Sequence, residues 1–425
     1  MERTRRKLLG AVGLSSIGLL AGCVGGQGRT ACEPATDTDG APPKNKLFGP
    51  DGNTDDNFGN ALAMSADGST AIVGAERRDR TPTVEAGVAY VFEVDGETGS
   101  VAAELTPDDR ESSMDFGEAV AVSADGSTAV VGASGAGKAY VFGRSGDGWS
   151  QEAELGPSDS DDDSLGMAVA IASDGSTVLV GGFSSTVPVF RRTAAGWTRE
   201  HSLSPPADAT GSWFGAELAI DGDGTRALIA NSEAPGPEGR REGEVYDYRL
   251  TDGAPTRGET LQMPPAESSD HFGISVALSD DGTTAVIGSD RKTDTGPLVD
   301  PTAHVFEHRP DGWRRLDSFA ADGDTASGFA TAVAVSADGD TALVGGRLPN
   351  SADGTPTAGP QLLHRTADGW SAVKTFTPDD ESRSFGTPVA LAGDGRTALV
   401  GARVDDGADC RRVGAAYVFA VPAGP

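Results

Sequence analysis

Five histidines, His201, His271, His304, His308 and His364, are the first candidates for metal or acid–base chemistry in this chain. None stands at zinc-ligand spacing from another, and none has an evident nucleophile to activate. Pairs of carboxylates occur throughout, because the 425 residues hold 64 Asp and Glu against 34 Lys and Arg. In such a composition two neighbouring acids do not mark a glycosidase-like site. No catalytic and no metal-binding set emerges, and the chain reads as a non-enzyme. The bases, by contrast, are clustered. Arg77, Arg78, Arg80, Arg240, Arg241, Arg291, Lys292, Arg347, Arg403, Arg411 and Arg412 fall in five segments, 75–87, 231–244, 289–302, 345–360 and 401–414. On a chain of formal net charge −30, they are candidates to hold an acidic protein or an acidic surface glycan. Arg77, Arg78, Arg240, Arg241, Arg291, Arg411 and Arg412 are the strongest of them. The competing reading is local neutralisation, since Glu76, Asp79, Glu238, Glu242, Asp290, Asp294, Asp405 and Asp406 lie beside them.

Only 6 of the 34 bases are Lys. The acidic, Lys-poor balance resembles that of proteins adapted to high salt, where screening over a few Å removes most self-repulsion; an acidic secreted protein is the plainer alternative. Either way it argues against nucleic-acid binding by the body as a whole. At the N-terminus, Thr4-Arg5-Arg6-Lys7-Leu8-Leu9 resembles a twin-arginine export signal, followed by an apolar run over 8–21. That run ends in Leu20-Ala21-Gly22-Cys23, which resembles a lipobox and makes Cys23 the lipidation site. The expected organisation is a signal peptide at 1–22, a flexible tether at 23–43 and a body at 44–425. No later segment is apolar enough to cross a membrane, so the body is expected at the extracellular face of the cytoplasmic membrane, held by lipid alone.

A repeated unit must position any site in that body. Phe-Gly stands at Phe58, Phe116, Phe214, Phe272 and Phe385, with Leu165 and Phe329 (followed by Ala330) in the two remaining slots. The mean spacing is about 54 residues, suited to one propeller blade. Asp-Gly follows in all seven, at Asp67, Asp125, Asp174, Asp223, Asp281, Asp338 and Asp394, and an Asp-Gly pair between two β-rich runs signals a short hairpin. The flanking runs, such as 119–123 and 129–132, are apolar on both faces and must be buried on both. A third strand and a fourth, often opening with Trp (Trp149, Trp197, Trp313, Trp370), complete each unit. The Trp residues are expected to cover outer blade edges.

The seventh unit ends at Pro425 after its third strand. Leu47-Phe48-Gly49-Pro50 echoes Leu155-Gly156-Pro157, the end of a fourth strand. The segment 44–51 is therefore predicted to supply the missing strand and close an all-β ring of seven four-stranded blades. Cys32 precedes that strand and Cys410 lies in the last unit, so a bridge between them would lock the seam; two free thiols are the alternative.

Phe-Gly, the Val/Ala strand and the endings Val73-Gly74-Ala75, Val131-Gly132-Ala133 and Val400-Gly401-Ala402 resemble FG-GAP repeats, the propeller units of integrin α-subunit heads and many microbial surface proteins. The resemblance runs from about Leu47 to the end and implies a propeller that binds partners. Some units of this family hold calcium at the first hairpin. Here unit two offers Ala121, Ser123, Asp125 and Ala129, and unit four offers Ala219, Asp221, Asp223 and Ala227. These are too few oxygens for calcium, so no cofactor is expected and the Asp residues are read as turn formers. The functional expectation is a lipid-anchored extracellular scaffold that binds a protein or surface polysaccharide through long loops on one face. An envelope polysaccharide-acting enzyme, with carboxylates at the channel mouth, and a purely structural surface component are the alternatives.

Overall fold

The chain divides into two compact units, 1–33 and 34–425. The structure, a computed structural model, describes residues 45–50, 56–78, 86–146, 148–157, 164–183, 186–207, 209, 213–235, 242–251, 253–263, 271–289, 301–320, 328–346, 359–378, 384–403, 414–422 and 424, all in the second unit. They form seven four-stranded antiparallel sheets. Blade one runs through Leu62–Met64, Thr70–Ala75, Val88–Asp95 and Thr98–Leu105; blade two through Phe116–Val122, Thr128–Ala133, Lys138–Ser145 and Gly148–Leu155. The same order recurs around the ring. In blade seven Phe385–Leu391, Thr397–Ala402 and Ala415–Ala420 are joined by Lys46–Leu47, whose Leu47 pairs with Ala416. The predicted closure by the N-terminal segment is therefore present, through a shorter strand than 44–51.

The burial of each strand follows from its place between neighbouring sheets. Second strands such as Thr70–Ala75 and Thr128–Ala133 are buried along their whole length, as their unbroken apolar sequence requires. Fourth strands such as Gly148–Leu155 alternate between exposed and half-buried residues until the terminal Leu155 turns inward. Leu105, Leu203, Leu261 and Leu47 are buried in the same way, which explains the echo between the two ends of the chain.

Each Phe-Gly pair divides two tasks between its residues. The Phe ring packs on the third strand of its own blade. Phe58 lies 5.8 Å from Tyr90 and 6.0 Å from Phe92, and Phe116 lies 5.6 Å from Tyr140 and 6.0 Å from Phe142. The Gly makes the contact between blades. A Cβ on Gly132, in the second strand of blade two, would fall 1.9 Å from the Gly166 carbonyl oxygen of blade three, and one on Gly74 would fall 2.0 Å from that of Gly117. The Val-Gly-Ala and Phe-Gly motifs are thus the two halves of one backbone contact. The Trp residues also join blades. Trp149 packs into the core shared by blades one and two, and Trp313 into that shared by blades four and five. The edge-covering role expected of them is correspondingly a blade-to-blade one.

At the hairpin end, seven backbone hydrogen bonds form a closed cycle. Ala66 N donates to Ala124 O (2.9 Å), Ala124 to Ser173 (3.0 Å), Ser173 to Gly222 (3.0 Å), Gly222 to Asp280 (2.9 Å), Asp280 to Ala337 (3.1 Å) and Ala337 to Gly393 (2.8 Å). Asp394 N returns to Ala66 O at 2.8 Å. Within the hairpins the Asp side chain holds the turn: Asp125 Oδ1 accepts from Ser123 Oγ at 2.6 Å and from Ser127 N at 2.9 Å. Burial opposes ionisation of Asp125, but these hydrogen bonds outweigh it and hold the carboxyl below its ordinary range.

Candidate functional site

The two ends of the ring are built differently. At the hairpin end, the hydrogen-bonded cycle and short turns leave a uniform surface. The opposite end carries the starts of the first strands, the ends of the second strands and the described feet of the five long connections. In blade one the described feet of that connection are pinched together, Gly87 N donating to Arg78 O at 3.2 Å. In blade four Glu242 N and Gly243 N both donate to Ala234 O, at 2.9 and 3.0 Å. The described feet of these two connections are therefore fixed on the ring.

Three of the clustered bases lie among the described residues. Arg77 is exposed, with its side chain 59 % accessible and its Nε 3.9 Å from Glu76. Arg78 is buried, its side chain 3 % accessible, and donates to Asp56 Oδ2 at 2.8 Å. That placement takes Arg78 out of any exposed basic surface, because a guanidinium so enclosed requires its carboxylate. Arg403 is exposed and lines the mouth of the central channel. Arg80, Arg240, Arg241, Arg291, Lys292, Arg347, Arg411 and Arg412 lie outside the described residues, as do Cys23, Cys32 and Cys410. Glu76, read as a neutraliser of Arg77, also accepts from Asn57 Nδ2 at 2.9 Å and Asn60 Nδ2 at 3.1 Å.

The first strands of all seven blades surround a cavity of about 420 Å³ on the long-loop side. Its walls combine the Val, Leu and Ala residues that follow each Phe-Gly with the polar side chains of Asn60, Ser275, Thr331 and Thr387, and two carboxyls are set among them. Glu118 accepts a hydrogen bond from Ser134 Oγ. Burial raises its pKa, and the charges of Glu76 and Asp115 add to the rise. Glu217 takes a position filled in the other six blades by Ala61, Ala119, Ala168, Ser275, Ala332 and Pro388. It is half-buried in the channel wall, and desolvation pushes its pKa up to about 8. At the hairpin ring a third carboxyl, Asp280, is raised by burial and by Asp221, Asp223 and Asp281, against a hydrogen bond from Ser173. Sequence reading missed Glu118 and Glu217. The available signal was an ionisable residue at a repeat position that is elsewhere small. Among the described residues no group of three or more His, Cys, Asp or Glu side chains is placed to hold a metal ion, and no helix is long and apolar enough to cross a membrane.

Comparison with known proteins agrees with this architecture. The FG-GAP repeat family matches residues 44–92, 100–142, 264–306 and 370–419. Two of these matches begin within a blade's outer strand, and all four end in the third strand of a blade, so the sequence unit is offset from the blade by one strand. No curated protein matches in sequence. Among solved structures, a protein from Lactobacillus plantarum is similar at 18% identity and TM-score 0.50, over 75% of this chain and 85% of that one. Hydrazine synthase from Kuenenia stuttgartiensis is similar at 16% identity and TM-score 0.53, over 88% and 97%. The β-propeller domain of Cps50 (Swd1) from Myceliophteria thermophila is similar at 11% identity and TM-score 0.56, over 85% and 96%. Likeness at these identities is one of fold. The chain is a seven-bladed β-propeller, four segments of which are similar to FG-GAP repeats.

Proposed function

We propose that this propeller is a lipid-anchored extracellular scaffold that binds a protein or surface-polysaccharide partner through its long-loop face. The observation that carries the reading is the inequality of the two faces: one is a hydrogen-bonded ring of short turns, whereas the other bears the feet of every long connection, pinched together in blades one and four. Exposed Arg77 and Arg403 supply positive charge on that face, and the other clustered bases belong to the same connections in sequence. The lipobox-like Cys23 and the twin-arginine-like start supply the anchor and the route outward.

The second reading, a polysaccharide-acting enzyme, draws on Glu118 and Glu217 at the channel mouth. A two-carboxylate mechanism needs one acid protonated and the other ionised. Here the environment raises both, which favours the binding role. A surface-glycan array and an envelope-protein overlay, run with the lipid-free chain, test the choice. Retention without release of shortened glycan supports the scaffold; release of product overturns it in favour of the enzyme.

A further inference from the structure

We propose that Phe183 and Trp213 form an aromatic platform on the long-loop side of the ring, and that it stacks a neutral hexopyranose of a surface polysaccharide. Such a platform rests on the scaffold role proposed above and narrows its partner to an uncharged polysaccharide.

Five large apolar side chains are exposed among the described residues, and three of them, Val101, Leu316 and Val373, lie on outer strands. The other two are aromatic and meet each other. Phe183 and Trp213, each 38 % exposed, have ring centres 4.3 Å apart and planes inclined at 61°. Neither position is aromatic elsewhere in the ring. Phe183 follows the end of the second strand of blade three, where the other blades carry Glu76, Ser134, Ser232, Asp290, Arg347 and Arg403. Trp213 precedes the Phe-Gly of blade four, where the others carry Asn57, Asp115, Ser164, His271, Gly328 and Ser384. Two positions that are polar or Gly in six blades have become aromatic together, across one blade boundary, while staying in contact with water. The core does not require them, because Phe214 already fills it against Tyr246 and Tyr248. An exposed apolar pair of this kind marks a binding surface.

The surroundings select a sugar. Phe183 holds in blade three the repeat position that Arg403 holds in blade seven, and Arg403 lines the channel mouth, so the pair stands at the rim of that mouth. In blades two and three the second and third strands are joined by short connections, 134–137 and 182–186. This sector of the face therefore lies open between the long connections of blades one and four, where an extended chain can reach it. The mouth beside it presents the amide of Asn60 and the hydroxyls of Ser275, Thr331 and Thr387, which are groups that hydrogen-bond sugar hydroxyls. It also sets Glu118 and Glu217 against one guanidinium, that of Arg403, and so has no excess of positive charge to hold an acidic sugar. A pyranose offers weakly positive C–H groups on its flat face, which suit the negative face of an aromatic ring. Its hydroxyls radiate around the edge, toward the polar groups of the mouth. An aromatic rim beside a hydroxyl-rich hollow complements both parts of a neutral hexopyranose.

Fluorescence titration and calorimetry of the full chain with β-1,4-linked hexamers of glucose, mannose and N-acetylglucosamine, and with hexagalacturonate as the acidic control, test the proposal. Trp149, Trp197, Trp313 and Trp370 pack against the blade cores. A saturable blue shift from exposed Trp213 is therefore expected with at least one neutral hexamer, and a smaller one or none with hexagalacturonate. Phe183→Ser and Trp213→Ser install residues that other blades carry at these positions, and should melt within a few degrees of the native chain. Each should bind that hexamer roughly tenfold or more weakly by calorimetry. Phe183→Tyr and Trp213→Phe keep an aromatic face and should retain binding, which reads the platform even if the serine variants fold poorly. The proposal would be overturned by the absence of a shift with every neutral hexamer, by tighter binding of hexagalacturonate, or by undiminished affinity in both serine variants. The same shift with a capped proline-rich decapeptide would overturn it in favour of a protein partner. Exchange of the long connections 79–85 and 404–413 leaves both rings in place, so failure of the platform and failure of the loop-face reading are seen in different variants.

Discussion

Arg226 stands where the other six blades place Thr70, Thr128, Thr177, Thr284, Thr341 and Thr397. Two further departures accompany it in blade four. Asp221 replaces the Ser or Ala of the hairpin, and Asp247 replaces the Val or Leu of the third strand. The three changes form one unit. Asp221 Oδ1 accepts from Thr225 N and Arg226 N, at 2.7 and 3.0 Å. Arg226 Nε lies 3.3 Å from Asp247 Oδ1, and its guanidinium sits 5.3 Å from the ring centre of Trp313, whose Nε1 donates to Asp247 Oδ2 at 3.2 Å. Arg226 Nη1 also reaches Gly282 O of blade five at 2.5 Å. A buried pair is costly to break and seldom better than a packed apolar replacement. Arg226→Thr alone should therefore cost about 3–5 kcal/mol in chemical denaturation. The triple change Asp221→Ser, Arg226→Thr and Asp247→Val, which restores the pattern of the other blades, should be at least as stable as the native chain.

Glu217 gives a second prediction at this scale. Its folded pKa of about 8 lies above the unfolded value, so its contribution to stability is complete below about pH 4.5 and is lost as the pH rises through about 8. The difference in unfolding free energy between the native chain and Glu217→Gln should fall across that window by at most about 1.4 kcal/mol per pH unit. A flat difference would show that the carboxyl is not desolvated. Neither unit was evident from sequence, because the significance of Arg226, Asp247 and Glu217 depends on strand register. Arg78 was misjudged for a related reason. Its partner Asp56 lies on the far side of the Phe-Gly pair, and nothing local links the two.

At the scale of the element, the motifs were legible because each meets the same neighbour in every blade. Asp-Gly gave the hairpins, Val-Gly-Ala the buried second strands and Phe-Gly the start of each first strand. Sequence could not show that the glycines of two different motifs touch across a blade boundary. Gly132→Ala would place its Cβ 1.9 Å from the Gly166 carbonyl oxygen, a backbone atom that cannot turn aside as a flexible side chain would. Gly146→Ala, in an open turn at φ 60°, meets nothing within 4 Å and bears only the backbone cost of a positive φ. That cost is about 1–2 kcal/mol. Melting of the two variants should rank Gly132→Ala far below Gly146→Ala, and similar melting temperatures would remove the blade-contact explanation.

The whole molecule depends on closure. Lys46–Leu47 completes blade seven, and Leu47 is 3 % exposed within the core shared by blades one and seven. Leu47→Ala should cost about 2–5 kcal/mol. Removing residues 1–48 should leave Ala415–Ala420 as an open edge and produce concentration-dependent association in size-exclusion chromatography. Elution unchanged from that of the full chain at every concentration would mean that the hydrogen-bonded cycle at the hairpin end closes the ring without that strand. Closure was readable in the sequence because the last unit lacks a strand that the first segment echoes.

The same closed ring is what allows one face to vary while the other stays constant, and this contrast is the basis of the proposed scaffold role. It is tested most directly by exchanging residues 79–85 and 404–413 for short Gly-Ser links and measuring retention on immobilised envelope polysaccharide and envelope proteins. The feet at Arg78, Gly87, Arg403 and Gly414 stay in place, so the exchanged chain should melt within a few degrees of the native one. It should also lose at least tenfold in binding. Undiminished binding after both exchanges, with the fold intact, would contradict recognition through the long-loop face.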